Sequence, residues 1–402
     1  MINRIIKTIA ILLAAIASVS CEDFLAELFP APSVPTRNVL LLYSAGYNNL
    51  ASYLRDDIKD LESGWLPAKK NSADIVLVYS HFPTQGYSTP TSPALVRLTS
   101  DKEGKAVRDT LVVYPEGTIS SSAEQLETVL TYIKENFDSE RYGMVFSSHA
   151  TGYLPSEYYT KEDEALSQQK SIGQDHVVTD GIQTSYEIEL SDFAKAIPMH
   201  LDYILFDACL MGGVEVAYEL KDVVGKVGFS QTEVLAEGFC YSTLTQSLLL
   251  QEEPDVQKVC NDYFQQYDVQ SGIYRSATIS LIDCGNMNTL AEVCSRLFEK
   301  YADEISNVNA KNVQRFYRSG KHWFYDLESI LINAKITDEE LEELHYALDQ
   351  CVLYKAHTPS FMNEFNIHIF SGLSMYLPNQ GTKSLNDFYK SLKWNQDTGL
   401  VN

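Results

Sequence analysis

The chain has 402 residues, and its 54 acidic residues against 31 basic residues give a net charge of −23 at pH 7. This length is enough for one large or two ordinary domains with a substantial hydrophobic core. So negative a charge repels nucleic acid and anionic lipid headgroups, so we exclude nucleic acid as a partner.

The N-terminus has the layout of a secretory signal peptide over residues 1–20. Arg4 and Lys7 precede a short apolar run, and small residues follow it up to Cys21. The apolar run is shorter than the roughly 20 residues that a membrane-spanning helix needs. The cysteine at this point resembles the lipobox of bacterial lipoproteins, in which the thiol is lipidated and becomes the new N-terminus.

We therefore predict lipidation of Cys21, followed by an acidic, proline-containing tether over 21–36. This arrangement places the protein in the bacterial cell envelope, held by its lipid in the outer membrane or at the cell surface. The alternative is a soluble secreted protein in which Cys21 is a spare thiol.

From residue 37 onward, apolar runs typical of buried strands alternate with amphipathic segments typical of helices. Strand-like runs occupy 38–46, 73–82, 142–152, 202–213 and 225–234, with a more exposed hairpin over 94–115. Helices are predicted over 48–64, 121–137, 190–198 and 214–222. No element is predicted in the polar segment 153–189. Strands that are apolar on both faces and separated by helices indicate an α/β fold with a doubly wound, mostly parallel sheet.

After about residue 250 the pattern changes to long amphipathic segments. These cover 253–267, 286–305 and 337–356, with strand-like runs at 276–283 and 371–378. We predict a core over 37–250 and a helical extension over 251–402 that returns to the sheet.

The seven cysteines include no pair with C-x-x-C spacing, so zinc or thioredoxin-like chemistry has no support. Two other segments carry candidate chemistry, "FSSHATG" (146–152) and "FDACLMGG" (206–213). They place His149 and Cys209 at the carboxyl ends of core strands, where ligands bind in doubly wound sheets.

A cysteine nucleophile works as a thiolate, and a nearby imidazole both lowers the thiol pKa and donates a proton to the leaving amine. His149 precedes Cys209 by 60 positions, similar to the order and spacing of caspase-type enzymes. The alternatives are that Cys209 is a small buried hydrophobe and His149 a hydrogen-bonded polar group. His81, in "YSHF", is a rival partner for the cysteine.

Three segments resemble the clostripain family of cysteine peptidases, relatives of caspases, gingipains and legumain. They are "HATGY" (149–153), "DYILFDACLMGGVEVAYEL" (202–220) and "SGLSMYLP" (371–378), and the resemblance extends from about residue 38 to the C-terminal "LKWNQDTG". It implies a caspase-like fold, with Cys209 as nucleophile and His149 as acid/base partner.

The resemblance also implies an oxyanion hole made by the backbone amide of Cys209 and one from the turn after His149, either Ala150 or Gly152. The family usually has glycine directly after the histidine. Alanine at position 150 fits only if its φ is negative.

Members of the family typically cleave after Arg or Lys. Asp207, two residues before the cysteine, corresponds to a residue of the specificity pocket. A second carboxylate is expected in "GFCY" (238–241), where this chain has Cys240. Losing one of two carboxylates weakens a pocket for a cation, yet a basic preference remains the leading prediction.

Several relatives cut themselves between the catalytic histidine and cysteine, so we predict a self-cleavage site at Lys161 or Lys170. No cofactor is required by this mechanism. Calcium activates some members of the family, but no D-x-D-x-D-G loop is visible in this sequence.

The leading prediction is thus a lipid-anchored cysteine endopeptidase that acts on peptides or proteins. A binding or scaffolding lipoprotein with the same fold is the first alternative, because Ala150 and Cys240 depart from the family pattern. A transpeptidase that uses the same thiol is the second.

Overall fold

The structure is a computed structural model that describes residues 35–68, 72–84, 87–156, 171–318 and 323–402. The predicted signal peptide, Cys21, most of the tether, Lys161 and Lys170 lie outside the described residues.

The described strands, in chain order, are β1 Thr36–Ala45, β2 Asp74–His81, β3 Ala94–Ser100, β4 Ala106–Val113, β5 Ser139–Ser147, β6 Ile172–Thr179, β7 Ile182–Ile188, β8 Leu201–Asp207, β9 Val224–Phe229, β10 Thr278–Asp283, β11 Tyr325–Asp326, β12 Val352–His357, β13 Ser360–Phe361, β14 Phe365–Asn366 and β15 Ser374–Met375.

The α-helices are Ala51–Ser63, Ala123–Asn136, Leu190–Lys195, Val214–Leu220, Tyr241–Leu249, Val256–Asp268, Met287–Lys300, Ala302–Ser306, Leu327–Asn333, Asp338–Cys351, Lys383–Tyr389 and Lys393–Thr398. Short 3-10 helices cover Gly272–Tyr274, Cys284–Asn286, Ala310–Asn312 and Pro378–Gln380.

A nine-stranded sheet in the order β12-β10-β9-β8-β5-β1-β2-β3-β4 forms the centre of the molecule. The five middle strands, from β9 to β2, are parallel, and the strands at both edges are antiparallel to their neighbours. The chain runs outward in both directions from β1, so the sheet is doubly wound. The α/β fold predicted from the sequence is confirmed.

Helices cover both faces of this sheet, because the middle strands are apolar on both faces. The helices Ala51–Ser63, Tyr241–Leu249 and Val256–Asp268 contribute to one hydrophobic cluster, which also contains Tyr203 and Leu205 of β8. The opposite face holds the larger core, to which the alternate residues Ile204 and Phe206 belong. Because successive side chains of a strand point to opposite faces, Asp207 shares the face of Leu205.

The helix Ala123–Asn136 shows how the sequence sets a helix start. The Ser122 side chain accepts a hydrogen bond from the Gln125 N–H, which satisfies one of the amides left free in the first turn. Its buried residues recur at helical spacing, as the sequence pattern predicts.

The polar segment 153–189, in which the sequence pattern predicts no element, contains the antiparallel hairpin β6–β7. The strand β6 buries polar side chains instead of an apolar stripe. Asp175, for example, is buried while it accepts hydrogen bonds from the Ser120 N–H and the Ser121 hydroxyl. Periodicity cannot reveal a strand whose buried positions are hydrogen-bonded polar residues.

Two predicted boundaries in the C-terminal part are also wrong. The helix predicted over 337–356 ends at Cys351, and the chain continues as edge strand β12, antiparallel to β10. The strand predicted over 371–378 shrinks to the pair Ser374–Met375, which bonds to β11. Among the described residues, no helix combines the length and the apolar character that crossing a membrane requires.

Candidate active site

The pairing of β5 with β8 brings the two candidate catalytic segments to one edge of the sheet. Ser147 and Asp207 form the last pair of the parallel register, and the Ser148 N–H donates to the Asp207 carbonyl at 3.4 Å. His149 and Cys209 each follow two residues after that last pair. Both side chains therefore start from equivalent points beyond neighbouring strands.

The Cys209 thiol lies against the segment that follows β9. Its Sγ accepts a hydrogen bond from the Val234 N–H at 3.3 Å and lies 3.9 Å from the Val234 carbonyl oxygen. Burial raises the pKa of Cys209 to about 12, and the Glu233 and Asp207 carboxylates act in the same direction. The Val234 N–H and Arg318 lower this pKa. The resting sulfur is therefore a protonated thiol at neutral pH.

An ion pair holds the segment next to the sulfur. Arg318 donates from Nη2 to Glu233 Oε1 at 2.6 Å and from Nε to both carboxylate oxygens at 2.9 and 3.0 Å. A bidentate arginine–carboxylate ion pair of this kind is among the stronger charge pairs in proteins. It fixes Glu233 beside Cys209, and no local motif in the sequence indicates it.

The turn after Cys209 is held in a conformation that is rare for leucine. Leu210 has a φ of 61°, and its N–H donates to the Thr232 carbonyl at 2.9 Å. Two residues later, the Gly212 carbonyl accepts a hydrogen bond from the Ser374 N–H at 2.8 Å. The segments "DACLMGG" and "SGLSMYLP" are therefore bonded to each other.

His149 has a polar partner at the end of a third strand. Its Nε2 lies 2.6 Å from Oδ1 of Asn49, which follows β1. The preceding Asn48 is buried and donates from Nδ2 to the carbonyls of Ala45 and Gln174 at 3.0 and 2.8 Å. Sequence reasoning missed both asparagines, although their position after a core strand was a usable signal.

His81, the rival partner, is placed elsewhere. It ends β2, which β1 and β5 separate from β8. Its Nδ1 lies 2.8 Å from the Ser120 hydroxyl, and its ring stacks on Tyr47 with the ring centres 4.4 Å apart. The structure therefore does not bring His81 beside Cys209.

The turn after His149 packs directly on the turn after Cys209. Gly152 has a φ of 63°, and a Cβ atom added to it would lie 2.5 Å from the Leu210 carbonyl oxygen. The Thr151 N–H is taken by the Ser171 carbonyl at 2.8 Å. Ala150 is buried, and its φ is not among the positive values of the described residues. No backbone acceptor among the described residues takes the N–H of Gly152 or Cys209.

Asp207 is 7% exposed and hydrogen-bonded on the face of the sheet covered by Tyr241–Leu249. Its Oδ2 accepts from the Tyr241 hydroxyl at 2.7 Å and from the Ser147 hydroxyl at 3.5 Å. A Cβ added to Gly238 would lie 2.3 Å from the same oxygen. Burial raises the pKa of Asp207 to about 6, while the hydrogen bonds hold it down. The carboxylate is charged at neutral pH.

The Cys240 thiol points toward the helix Val256–Asp268, where it donates to Gln266 Oε1 at 2.8 Å. It lines a cavity of about 830 Å³ together with Tyr241 and the acidic residues Asp60, Glu237 and Asp262. The structure thus places Asp207 and Tyr241 in direct contact and turns the Cys240 side chain to the cavity beside them.

The six cysteines of the described residues are all free thiols, and Cys260, Cys284, Cys294 and Cys351 are buried. Among the same residues, no group of three or more His, Cys, Asp or Glu side chains is arranged to hold a metal ion.

A parallel sheet with a histidine and a cysteine beyond the carboxyl ends of neighbouring strands defines a fold of the caspase-like type. The family model described as the clostripain family matches residues 42–400. The chain belongs to the clostripain family of cysteine proteases, as the sequence motifs predict.

Individual relatives agree with this assignment. An inactive zymogen C11 protease from Parabacteroides distasonis has a TM-score of 0.77 and 25% identity, with 92% of this chain and 99% of that chain covered. The secreted C11 cysteine protease iotapain from Bacteroides thetaiotaomicron has a TM-score of 0.74 at 24% identity, with 91% and 99% covered, and shares the fold.

Clostripain from Hathewaya histolytica is 26% identical over 211 residues, which are 49% of this chain. The matched part is 38% of clostripain, so the chain spans about two-fifths of the length of this curated relative.

Replacing Gly152 with alanine should inactivate the site. The new Cβ would meet the Leu210 carbonyl, and the backbone would keep a left-handed φ that alanine disfavours. We expect Cys209 of Gly152→Ala to lose its labelling by a thiol-directed peptide probe. Gly104→Ala is the matched control, because Gly104 has a φ of 81° and open space around it. We expect Gly104→Ala to lower the free energy of unfolding by about 1 kcal/mol and to leave the labelling of Cys209 unchanged. Equal labelling of Gly104→Ala and Gly152→Ala would contradict this explanation.

Removing the charge of Glu233 and removing the charge of Arg318 should shift the pKa of Cys209 in opposite directions. Glu233→Gln removes a negative charge and lowers the pKa of Cys209, so alkylation by iodoacetamide at pH 8 becomes faster. Arg318→Gln removes a positive charge and raises that pKa, so alkylation becomes slower. Peptide mass spectrometry measures the alkylation of Cys209 separately from that of the other cysteines. In the wild type, the alkylation rate of Cys209 should continue to rise with pH well beyond pH 9. Changes of the same sign in both variants would refute the electrostatic explanation.

Proposed function

We propose that the chain is a cysteine endopeptidase in which Cys209 is the nucleophile and His149 is the acid/base partner. The observation that carries this proposal is the parallel register of β5 and β8, which starts both catalytic segments from the same pair, Ser147 and Asp207. Family membership supports the same reading.

The chemistry follows from these positions. His149 accepts the thiol proton of Cys209 as the sulfur attacks the substrate carbonyl carbon, and the backbone amides of Cys209 and Gly152 donate to the oxygen that becomes negative. His149 then gives the proton to the leaving amine as the peptide bond breaks. Water releases the acyl group from the sulfur, and the thiol is restored.

The raised pKa of Cys209 gives the resting protein a specific property. Since the thiol is neutral and bonded to Val234, a productive complex has to move the sulfur or the Val234 segment. We propose that a bound peptide occupies the space beside Val234 and brings the sulfur toward His149. Asn49 holds the imidazole in the meantime.

We propose a preference for Arg or Lys immediately before the cleaved bond. Asp207 supports it, because a buried carboxylate that is charged at neutral pH favours a cationic side chain. Its hydrogen bond to Tyr241 fixes the carboxylate in place.

Turnover of a diverse peptide library tests this function. Wild type should cleave after Arg or Lys, and Cys209→Ala or His149→Ala should lower kcat/KM by roughly 10³-fold or more. Cys294→Ala and His345→Ala are matched controls, since the first thiol is buried elsewhere and the second imidazole is exposed beside Glu328. No cleavage and no thiol labelling of wild type would favour the scaffolding alternative. Amide products formed with an added amine would show a transpeptidase.

We also propose self-cleavage after Lys161 or Lys170, which lie between the two catalytic residues in the chain. Intact mass of freshly purified protein should show two fragments for wild type and full-length chain for Cys209→Ala. Lys161→Ala or Lys170→Ala should remove the cut, whereas the exposed Lys102→Ala should keep it. Full-length wild type would contradict self-processing.

Lipidation of Cys21 and attachment to the bacterial outer membrane or cell surface complete the proposal. The layout of residues 1–21 supports it. The catalytic steps use only groups of the chain itself, and activation by calcium stays a prediction from the family resemblance.

A further inference from the structure

The helix Ala51–Ser63 carries a buried carboxylate that the mechanism above does not use. Asp57 is 6% exposed, and its Oδ2 has no hydrogen-bond partner among the described residues. An unpartnered buried polar atom lowers the stability of a fold, so it calls for a physical reason.

The surroundings of Asp57 lead to the specificity residue Asp207. The helix of Asp57 packs on Tyr241–Leu249 so tightly that a Cβ added to Gly64 would lie 2.3 Å from the Ser242 carbonyl oxygen. Tyr241 begins that second helix, and its hydroxyl bonds to Asp207. Asp207 points to the same face of the sheet as these two helices.

The two carboxyl groups also influence each other electrostatically. Burial raises the pKa of Asp57 to about 9, and the charges of Asp207, Asp60 and Asp56 add to this effect. Asp207, with its pKa raised to about 6, is charged at neutral pH. The empty pair therefore holds one negative charge and one proton, because two buried carboxylates that repel each other do not both ionise without a cation.

We propose that Asp57 is a second specificity residue, which shares with Asp207 the basic side chain that precedes the cleaved bond of the substrate. This inference rests on the proposed function and deepens it. Asp57 lies one helical turn before Asp60, which lines the cavity beside Tyr241 and Cys240. Its unpartnered oxygen supplies an acceptor on this helix, whereas Cys240 offers no carboxylate. A guanidinium group has five N–H donors in a planar fork, enough for both acids.

The proton balance of binding is defined. In the empty pocket Asp57 holds its proton. When the cation enters, that proton leaves to solvent, and the guanidinium is held by two carboxylates. A citrulline side chain has nearly the same shape but no charge, so it binds without displacing the proton.

Calorimetric titration of a full-length Cys209→Ala chain measures this binding without turnover. The ligands are two peptides that differ only in arginine or citrulline at the position before the cleaved bond. In the Asp57→Asn background we expect affinity for the arginine peptide to fall by about tenfold or more, with the citrulline peptide within about twofold. Titration at pH 7.5 in buffers of different ionisation enthalpy should show about one proton released on arginine binding, and much less in Asp57→Asn.

Asp56→Asn is the matched control, because Asp56 is the exposed neighbour on the same helix and the chemical change is the same. Equal losses for both peptides, an unchanged arginine affinity or an unchanged proton release in Asp57→Asn would overturn the proposal. If Asp57→Asn fails to fold, the proton release measured on the chain that keeps Asp57 still tests the proposal. Arginine binding without proton release would overturn the role of Asp57. Failure of the proposed function would be recognised separately, as wild type that does not cleave peptides after a basic residue.

Discussion

The parallel pairing of β5 with β8 is the constraint on which the site depends. Its register ends at Ser147 and Asp207, and this one pair sets where the chain leaves the sheet toward His149 and toward Cys209. A slip by one residue would turn each side chain to the opposite face and place Phe206 where Asp207 now meets Tyr241. The apolar core on both faces of the sheet fixes this register, so the same burial that stabilises the fold also positions the chemistry.

Around this frame the site keeps its thiol in a resting form. Burial and the Glu233 carboxylate favour the neutral sulfur, and the Arg318 guanidinium limits the effect while it fixes Glu233 in place. A neutral thiol bonded to Val234 is less reactive than a free thiolate. In this account reactivity arises when a substrate moves the sulfur toward His149, which couples attack to the presence of a peptide.

Most of the sheet was predictable from sequence, because β1, β2, β5, β8 and β9 are apolar runs whose neighbours are helices. The hairpin β6–β7 was not, because buried positions of β6 are polar, and the hydrogen-bond partners of Asp175 lie more than 50 residues away. The start of β12 was missed because its residues extend a helical pattern. These failures have one physical cause, namely that the deciding contacts are made between segments distant in the chain.

The same division applies to the site. His149, Cys209 and Asp207 stand in motifs that can be read locally, and Asn49 could have been found from its position after a core strand. Arg318 and Asp57 could not, since only the folded chain brings them to Glu233 and toward Asp207. The structure also turns the Cys240 thiol toward Gln266, a direction that no motif specifies.

A crystal structure of the wild-type chain alkylated at Cys209 by a peptide chloromethyl ketone with a terminal lysine tests the central claim most directly. The account predicts the His149 ring within about 4 Å of the sulfur, the hydrogen bond from Val234 to the sulfur broken, and the lysine ammonium at Asp207. An imidazole that stays away from the sulfur, or a lysine side chain that points away from Asp207, would contradict it.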